Sequence, residues 1–199
     1  DRMHGEVSQV DGRFREALAF AGEGSVELGS AGDYSPGTDS FTLSLWFTRE
    51  AGSADGEARR LLSTGAGGDR HPGWALWLTK DVSAVNFVVG NGESRTTVSA
   101  DHGSLADGKW HHVAAVVERP SGLVQIFIDG SLVADQRVGL LKEADIRAED
   151  GLSIGRNAND RQHHRGKLDD LAIWNRALAP EEIERIAGED QALGELFAE

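Results

Sequence analysis

Apolar side chains recur at every second position along most of this chain, the period of a half-buried strand. In Phe41-Thr42-Leu43-Ser44-Leu45-Trp46-Phe47, one face carries Phe41, Leu43, Leu45 and Phe47. Trp110–Glu118 and Leu123–Ile128 are two more apolar, β-branched runs, joined through Arg119-Pro120-Ser121-Gly122. The second run ends on Asp129-Gly130, a hairpin dipeptide that leads into Leu132-Val133-Ala134. Asn91-Gly92 plays the same part between Val85–Val89 and Arg95–Ser99. Shorter strands are expected at Ala17–Phe20, Ser25–Leu28, Leu61–Thr64, Trp74–Leu78, Leu152–Ile154 and Lys167–Trp174.

Helical signals gather in one place. Pro180 stands at a first helical position, Glu181 and Glu182 follow in the first turn, and Gly188 closes the segment, which predicts a short helix over Pro180–Gly188. Ala179 at its cap has no side-chain acceptor. The expected fold class is therefore all-β, a two-sheet antiparallel sandwich with one short C-terminal helix. No internal repeat or linker divides the chain, so residues 1–199 read as one domain with its core at about residues 11–188. The 25 glycines against 4 prolines fit many tight turns rather than a low-complexity linker.

Charge narrows the function classes. A net charge of -13 supplies no positive field for non-specific nucleic-acid or anionic-membrane binding, and no apolar run is long enough to span a bilayer. With no cysteine there is no disulfide scaffold, thiolate metal site or cysteine nucleophile.

Three segments in order resemble the bacterial laminin-G-like jelly roll of the concanavalin A type. The first is Phe20-Ala21-Gly22 with Val26-Glu27-Leu28 and the Phe41–Trp46 run. Next comes Trp110-His111-His112-Val113-Ala114, continuing into Val124–Gly130. Ile154-Gly155-Arg156, then Gly166-Lys167-Leu168-Asp169-Asp170-Leu171-Ala172-Ile173-Trp174, then Glu181-Glu182-Ile183 complete the match. The resemblance implies two curved antiparallel sheets in a module attached to other domains of a secreted, periplasmic or surface protein. In that family the aspartate opening the last strand often holds a structural calcium with backbone carbonyls near the first strand turn. Position by position this implies Asp169, the carbonyl of Gly22, and Asp39. From the residues alone, Asp169 reads equally as a strand-end cap. Asp169 and Asp170 are adjacent on a strand, so at most one of them can serve a given ion.

No catalytic residues are expected. Retaining glycosidases need two carboxyl groups ~5 Å apart, and no strand carries a Glu-x-Asp-x-x-Glu pattern. Glu181, Glu182 and Glu184 fall on the predicted helix, where a solvated face accounts for them. His111 and His112, adjacent on a strand, point to opposite faces and cannot chelate one ion. Trp46, Trp110 and Trp174 occupy signature positions and are expected in the core. Trp77 alternates out of phase with Trp74, Leu76 and Leu78; with that set facing the core, Trp77 is left on the outer face as a sugar-stacking platform, and burial in the core, the commoner fate of a tryptophan, is the alternative.

The remaining candidate is the polar loop Arg156–Lys167, basic in an acidic chain. Its guanidinium forks and amides suit carboxylates, sulfates or sugar hydroxyls. The candidate ligand contacts are Arg156, Asn157, Arg161, His163 and His164 with Trp77, and Arg70-His71 is a further contributor. The expected function is a non-catalytic carbohydrate-binding, lectin-like module whose partner is a glycan, acidic by the loop's charge. A protein-interaction or architectural module is the alternative, and a polysaccharide hydrolase or lyase the third reading.

Overall fold

The computed structural model describes residues 2–30, 32–52, 56–65, 72–148, 150–157, 159–189 and 192–193. Among the described residues, fourteen strands, all paired antiparallel, form two seven-stranded sheets. Sheet A contains β1 (Arg2–His4), β4 (Ser25–Leu28), β13 (Leu152–Ile154), β6 (Arg59–Ser63), β7 (Gly73–Leu78), β8 (Ala84–Gly90) and β9 (Arg95–Asp101) in that spatial order. Sheet B is ordered β12 (Ser131–Arg137), β11 (Leu123–Ile128), β10 (Trp110–Glu118), β5 (Phe41–Thr48), β14 (Arg165–Trp174), β3 (Glu16–Ala21) and β2 (Val7–Asp11). The expected strands are present, most of them longer by one or two residues at an end.

β1 and β2 were not anticipated. Every side chain of β1 is exposed, and only Val7 and Val10 of β2 are half-buried. Edge strands of this kind are held by backbone pairing and carry little hydrophobic period.

Alternation sorts the side chains as the pattern requires. Phe41, Leu43, Leu45 and Phe47 face Leu61, Trp74, Leu76 and Leu78 across the sandwich, with Val113, Ala115, Val117, Ile126 and Ile128 beside them. At Asp129-Gly130 both residues have positive φ, 50° and 80°, the geometry of a type I′ hairpin turn. Asn91 works differently: its side-chain oxygen accepts the N–H groups of Glu93 (3.1 Å) and Ser94 (2.9 Å), closing a four-residue turn.

The helix α1 (Pro180–Gly188) lies on the outer face of sheet B. Ile183 and Ile186 pack there with Ala114, Val116, Phe127 and Leu178, making a second, smaller apolar cluster. Glu182 compensates for the missing cap by accepting the Ala179 N–H at 2.8 Å, while Arg176 grips it with both terminal nitrogens. The outer face of sheet B corrects the tryptophan assignments. Trp174 is half-buried against the helix cluster, and Trp110 is half-buried at the start of β10. Trp46 is buried, but on the outer face, edge-on to Phe14 and beneath the guanidinium of Arg13 at 3.9 Å.

Candidate functional site

The Arg156–Lys167 loop leaves β13 at the end of the sandwich where β6 begins, β7 finishes and β14 starts. Its shape is set from within. Asn157 is buried, and its side-chain oxygen accepts the N–H groups of Asn159 (3.1 Å) and Arg161 (2.8 Å). The backbone of Asn157 also pairs with Arg161 and Asp160. Two non-glycine residues, Asp160 (φ 54°) and Gln162 (φ 57°), adopt the left-handed conformation, which is strained and persists only where neighbours enforce it.

For Gln162 the enforcing neighbour is Arg60. The Arg60 backbone N–H donates to the Gln162 carbonyl at 2.9 Å, and its Nη2 donates to Gln162 Oε1 at 2.8 Å. The same guanidinium lies over the Trp77 ring, 4.6 Å from its centroid. Trp77 is on the outer face, as its phase predicts, half-buried beside Ala75 and Val88 and paired across to Asn86 on β8. Arg60 thus joins the two candidate parts that the sequence left separate.

The six candidate ligand contacts divide by exposure. Arg161 is exposed, His163 and Trp77 are half-buried, and these three can be reached. Arg156 is engaged in ion pairs with Glu27 and with Asp160, the latter at 3.5 Å. Asn157 holds the loop. His164 is fully buried edge-on to Phe20, with neither ring nitrogen hydrogen-bonded among the described residues. Burial, reinforced by the charges of Arg49 and Arg59, pushes the His164 imidazole down to about 3, so it stays neutral. Asn157 and His164 are therefore architectural, facing inward because the loop must bury part of itself to keep its shape. Arg70 and His71 lie outside the described residues.

A cleft of about 400 Å³ opens beside this loop, lined by Arg59, Lys80, Arg161, Gln162, His163, Glu57 and the backbone of Gly22. Arg59 is almost wholly buried, donates from Nη1 to the His163 carbonyl at 2.8 Å, and pairs with Glu57 at 3.5 Å. Behind this wall burial, and secondly the charge of Arg95, lowers the Arg60 guanidinium to about 10. Arg59, Arg60 and Lys80 carried no sequence signal of a site. The Arg59-Arg60 pair opens a strand like any other, and only the fold sets it beside the loop.

The residues carried over for calcium are not brought together. Asp169 Oδ2 accepts the N–H groups of Arg13 (2.7 Å) and Phe14 (3.4 Å), and Oδ1 accepts that of Asp170 (2.8 Å). Gly22 follows Ala21, which pairs with Arg165 at the far end of β14, and the Arg165 guanidinium packs against it. Asp39 precedes β5 at the opposite end of the sandwich, near Arg119. A carboxylate with both oxygens engaged by backbone donors, and with neither Gly22 nor Asp39 beside it, does not fit the calcium set carried over, and no group of three or more His, Asp or Glu side chains placed to hold a metal occurs among the described residues. Asp169 closes the β2–β3 turn instead. The alternation expected of Asp169 and Asp170 is also interrupted, since Asp170 has φ 48° within a bulge and accepts the Leu193 N–H at 2.9 Å.

The two signature histidines do diverge. His111 is bound by Asp129 (2.8 Å) and Asp107 (3.1 Å), whereas His112 Nε2 lies 2.7 Å from Ser44 Oγ. That serine–histidine pair is wholly buried, and Asp129 accepts the His112 backbone N–H rather than orienting its ring. Such an arrangement gives no substrate access to a nucleophile.

The family now follows. A sequence model of the concanavalin A-like lectin/glucanases superfamily, of the laminin-G type, matches residues 20–184, and the chain belongs to that family. Part of it is similar to the human (Homo sapiens) adhesion G protein-coupled receptor D2, 33% identical over 90 residues, or 40% of this chain and 9% of the receptor. Among solved structures, the binding domain of Paraclostridial Mosquitocidal Protein 1 superposes with a TM-score of 0.68 at 16% identity, covering 94% of this chain and 47% of that one. The botulinum neurotoxin serotype G binding domain gives 0.70 at 15% over 94% and 46%. The binding domain of botulinum neurotoxin DC in complex with SialylT gives 0.71 at 15% over 96% and 46%. The chain thus spans about half the length of these binding domains, and the likeness is one of fold.

Proposed function

We propose that this chain is a non-catalytic carbohydrate-binding module of a larger exported or surface protein, and that it binds glycan at the end of the sandwich formed by the 156–165 loop and Trp77. The observation that carries this reading is the bridge through Arg60, which makes an aromatic face and a donor-rich loop parts of one surface. Saccharide sites combine these elements, because a ring stacks its C–H face on an aromatic while its hydroxyls bond to amides and guanidinium groups. Family membership and the similarity in fold to toxin binding domains, one of them in complex with SialylT, favour the same reading.

A glycan array followed by calorimetric titration of the best ligand tests it. Arg161→Ala and Trp77→Ala should each weaken binding by about tenfold or more, equivalent to about 1.4 kcal/mol. A sugar-specific signal that neither substitution changes would place the site elsewhere. A silent array with a captured protein ligand would favour the interaction-module alternative.

A further inference from the structure

The cleft beside the loop has a charge pattern at odds with the chain that contains it. The molecule carries a net charge of -13, yet the cleft wall presents Arg59, Lys80 and Arg161 against one carboxylate, Glu57. Glu57 is two-thirds exposed and paired with Arg59. Neither the Lys80 ammonium nor the Arg161 guanidinium has an ion-pair or hydrogen-bond partner among the described residues. Behind the wall lie more groups of the same sign or of none. Arg60 is buried, with Nε and Nη1 unpartnered among the described residues and Arg95 as its charged neighbour. Arg49 and His164 are fully buried, the charges of Arg49 and Arg59 both act on that imidazole, and neither of its ring nitrogens is hydrogen-bonded among the described residues.

Like charges gathered at a low-dielectric wall raise the local potential, and they are stabilised when an anion enters. Arg161 is exposed on the turn between Asp160 and Gln162, both of which hold the left-handed conformation. We infer that the cleft lined by Arg59, Lys80 and Arg161 is an oxyanion seat that receives a carboxylate or sulfate group borne by the glycan. The guanidinium of Arg161 offers a planar fork to two oxygens of one anion, and Lys80 supplies a point charge on the same lining. Arg59, fixed on the His163 carbonyl, is the rigid member of the set. This rests on the carbohydrate reading for the rest of the ligand, but the seat itself requires only the anion.

The test therefore uses anions without a glycan. Sodium sulfate and sodium glucuronate are titrated into the full chain by calorimetry at ionic strength held constant with sodium chloride, with glucose as the uncharged control. Both anions should bind saturably and glucose should not. Lys80→Ala and Arg161→Ala, both at exposed positions, should each weaken the anions by about tenfold. Arg147→Ala, an exposed arginine paired with Asp145 in another loop, should change nothing. Sulfate binding without glucuronate binding would assign the group as a sulfate, and the converse would assign a carboxylate. Absence of saturable binding for both anions, or binding indifferent to Lys80→Ala and Arg161→Ala alike, overturns the seat. If a neutral oligosaccharide binds through Trp77 while neither anion does, the seat falls and the carbohydrate reading stands. Anion binding lost in the two variants, with no glycan found, leaves the seat and removes the carbohydrate reading.

Discussion

Arg60 lies with its guanidinium carbon 4.6 Å from the centroid of the Trp77 ring, on neighbouring strands of sheet A where the two residues are register partners. From that position it also donates to Gln162 Oε1, so a cation–π contact and a hydrogen bond share one planar group. Burial of this cation carries a desolvation cost, partly offset by the ring and the amide.

Two substitutions separate these contributions. Arg60→Met keeps the bulk over Trp77, removes a costly buried charge and frees Gln162. Global stability should change by less than about 1.5 kcal/mol, since such replacements are often neutral. Amide exchange across residues 157–162 should nevertheless accelerate. Gln162→Ala leaves the buried Arg60 Nη2 without its acceptor and should cost about 1–3 kcal/mol. Urea denaturation and hydrogen exchange read the two effects, and unaltered exchange in Arg60→Met would show that the loop keeps its shape unaided.

The strands were legible where burial is one-sided. Phe41–Phe47 and Trp74–Leu78 put their apolar faces where the alternation said, because a slip of one residue would turn each of those side chains outward. What remained hidden came from contacts distant in sequence. Trp174 was expected in the core because it occupies a signature position, yet the helix adds a second layer that buries the opposite face of sheet B. Arg59 and Lys80 reach the loop only through the sheet pairing of β6 with β7, and no local pattern reports that. The partners of Arg156 and Asn157 are likewise set by the folded loop and by Glu27 on β4, so the residue types marked the region while the fold decided which side chains face solvent.

Asp169 gives a second prediction. Its carboxylate accepts backbone N–H groups from Arg13, Phe14 and Asp170, tying β14 to the β2–β3 turn. Asp169→Ala should leave those donors unsatisfied and cost about 2–3 kcal/mol. Chelator and added calcium should leave the melting temperature of the native chain unchanged, because the ligand set is not assembled. A calcium-dependent rise in melting temperature that Asp169→Ala abolishes would reinstate a metal centre there.

The two apolar layers respond differently to the same insult. Leu45 is in the main core, and Leu45→Asp should prevent stable folding, since an unpaired carboxylate there has no donor. Val116 faces the opposite way, under Ile183 and Ile186 of the helix. Val116→Asp should displace the helix while the sandwich persists at reduced stability. Far-UV circular dichroism would then lose its helical component and keep the sheet signal. Ile183→Ala should cost about 2–4 kcal/mol through the cavity it leaves. Complete unfolding by Val116→Asp would mean that sheet B does not hold without its second layer.

The final prediction concerns acid. His112 and His164 are both buried and neutral: burial, aided by the charge of Arg13, lowers His112 to about 4, and burial with Arg49 and Arg59 lowers His164 to about 3. In the unfolded chain each titrates near 6.5. As pH falls below that value the unfolded state takes up protons that the folded state refuses, so stability falls. The slope approaches about 1.4 kcal/mol per pH unit for each histidine. His111 works in the opposite sense. Its hydrogen bond to Asp129 raises its pKa, and the stability this contributes is complete below the unfolded value and lost as pH rises through the folded one. The buried pair acts together against this one group, so the net result should be destabilisation on acidification from about pH 7 to about pH 5, where most carboxylates remain ionised. His164→Phe, which keeps a ring against Phe20, should remove about half of the acid slope. His111→Gln should steepen it, because the opposing contribution is gone. Urea midpoints across that range decide the matter, and an acid slope unchanged in His164→Phe would show that this imidazole is charged or solvated in the folded protein.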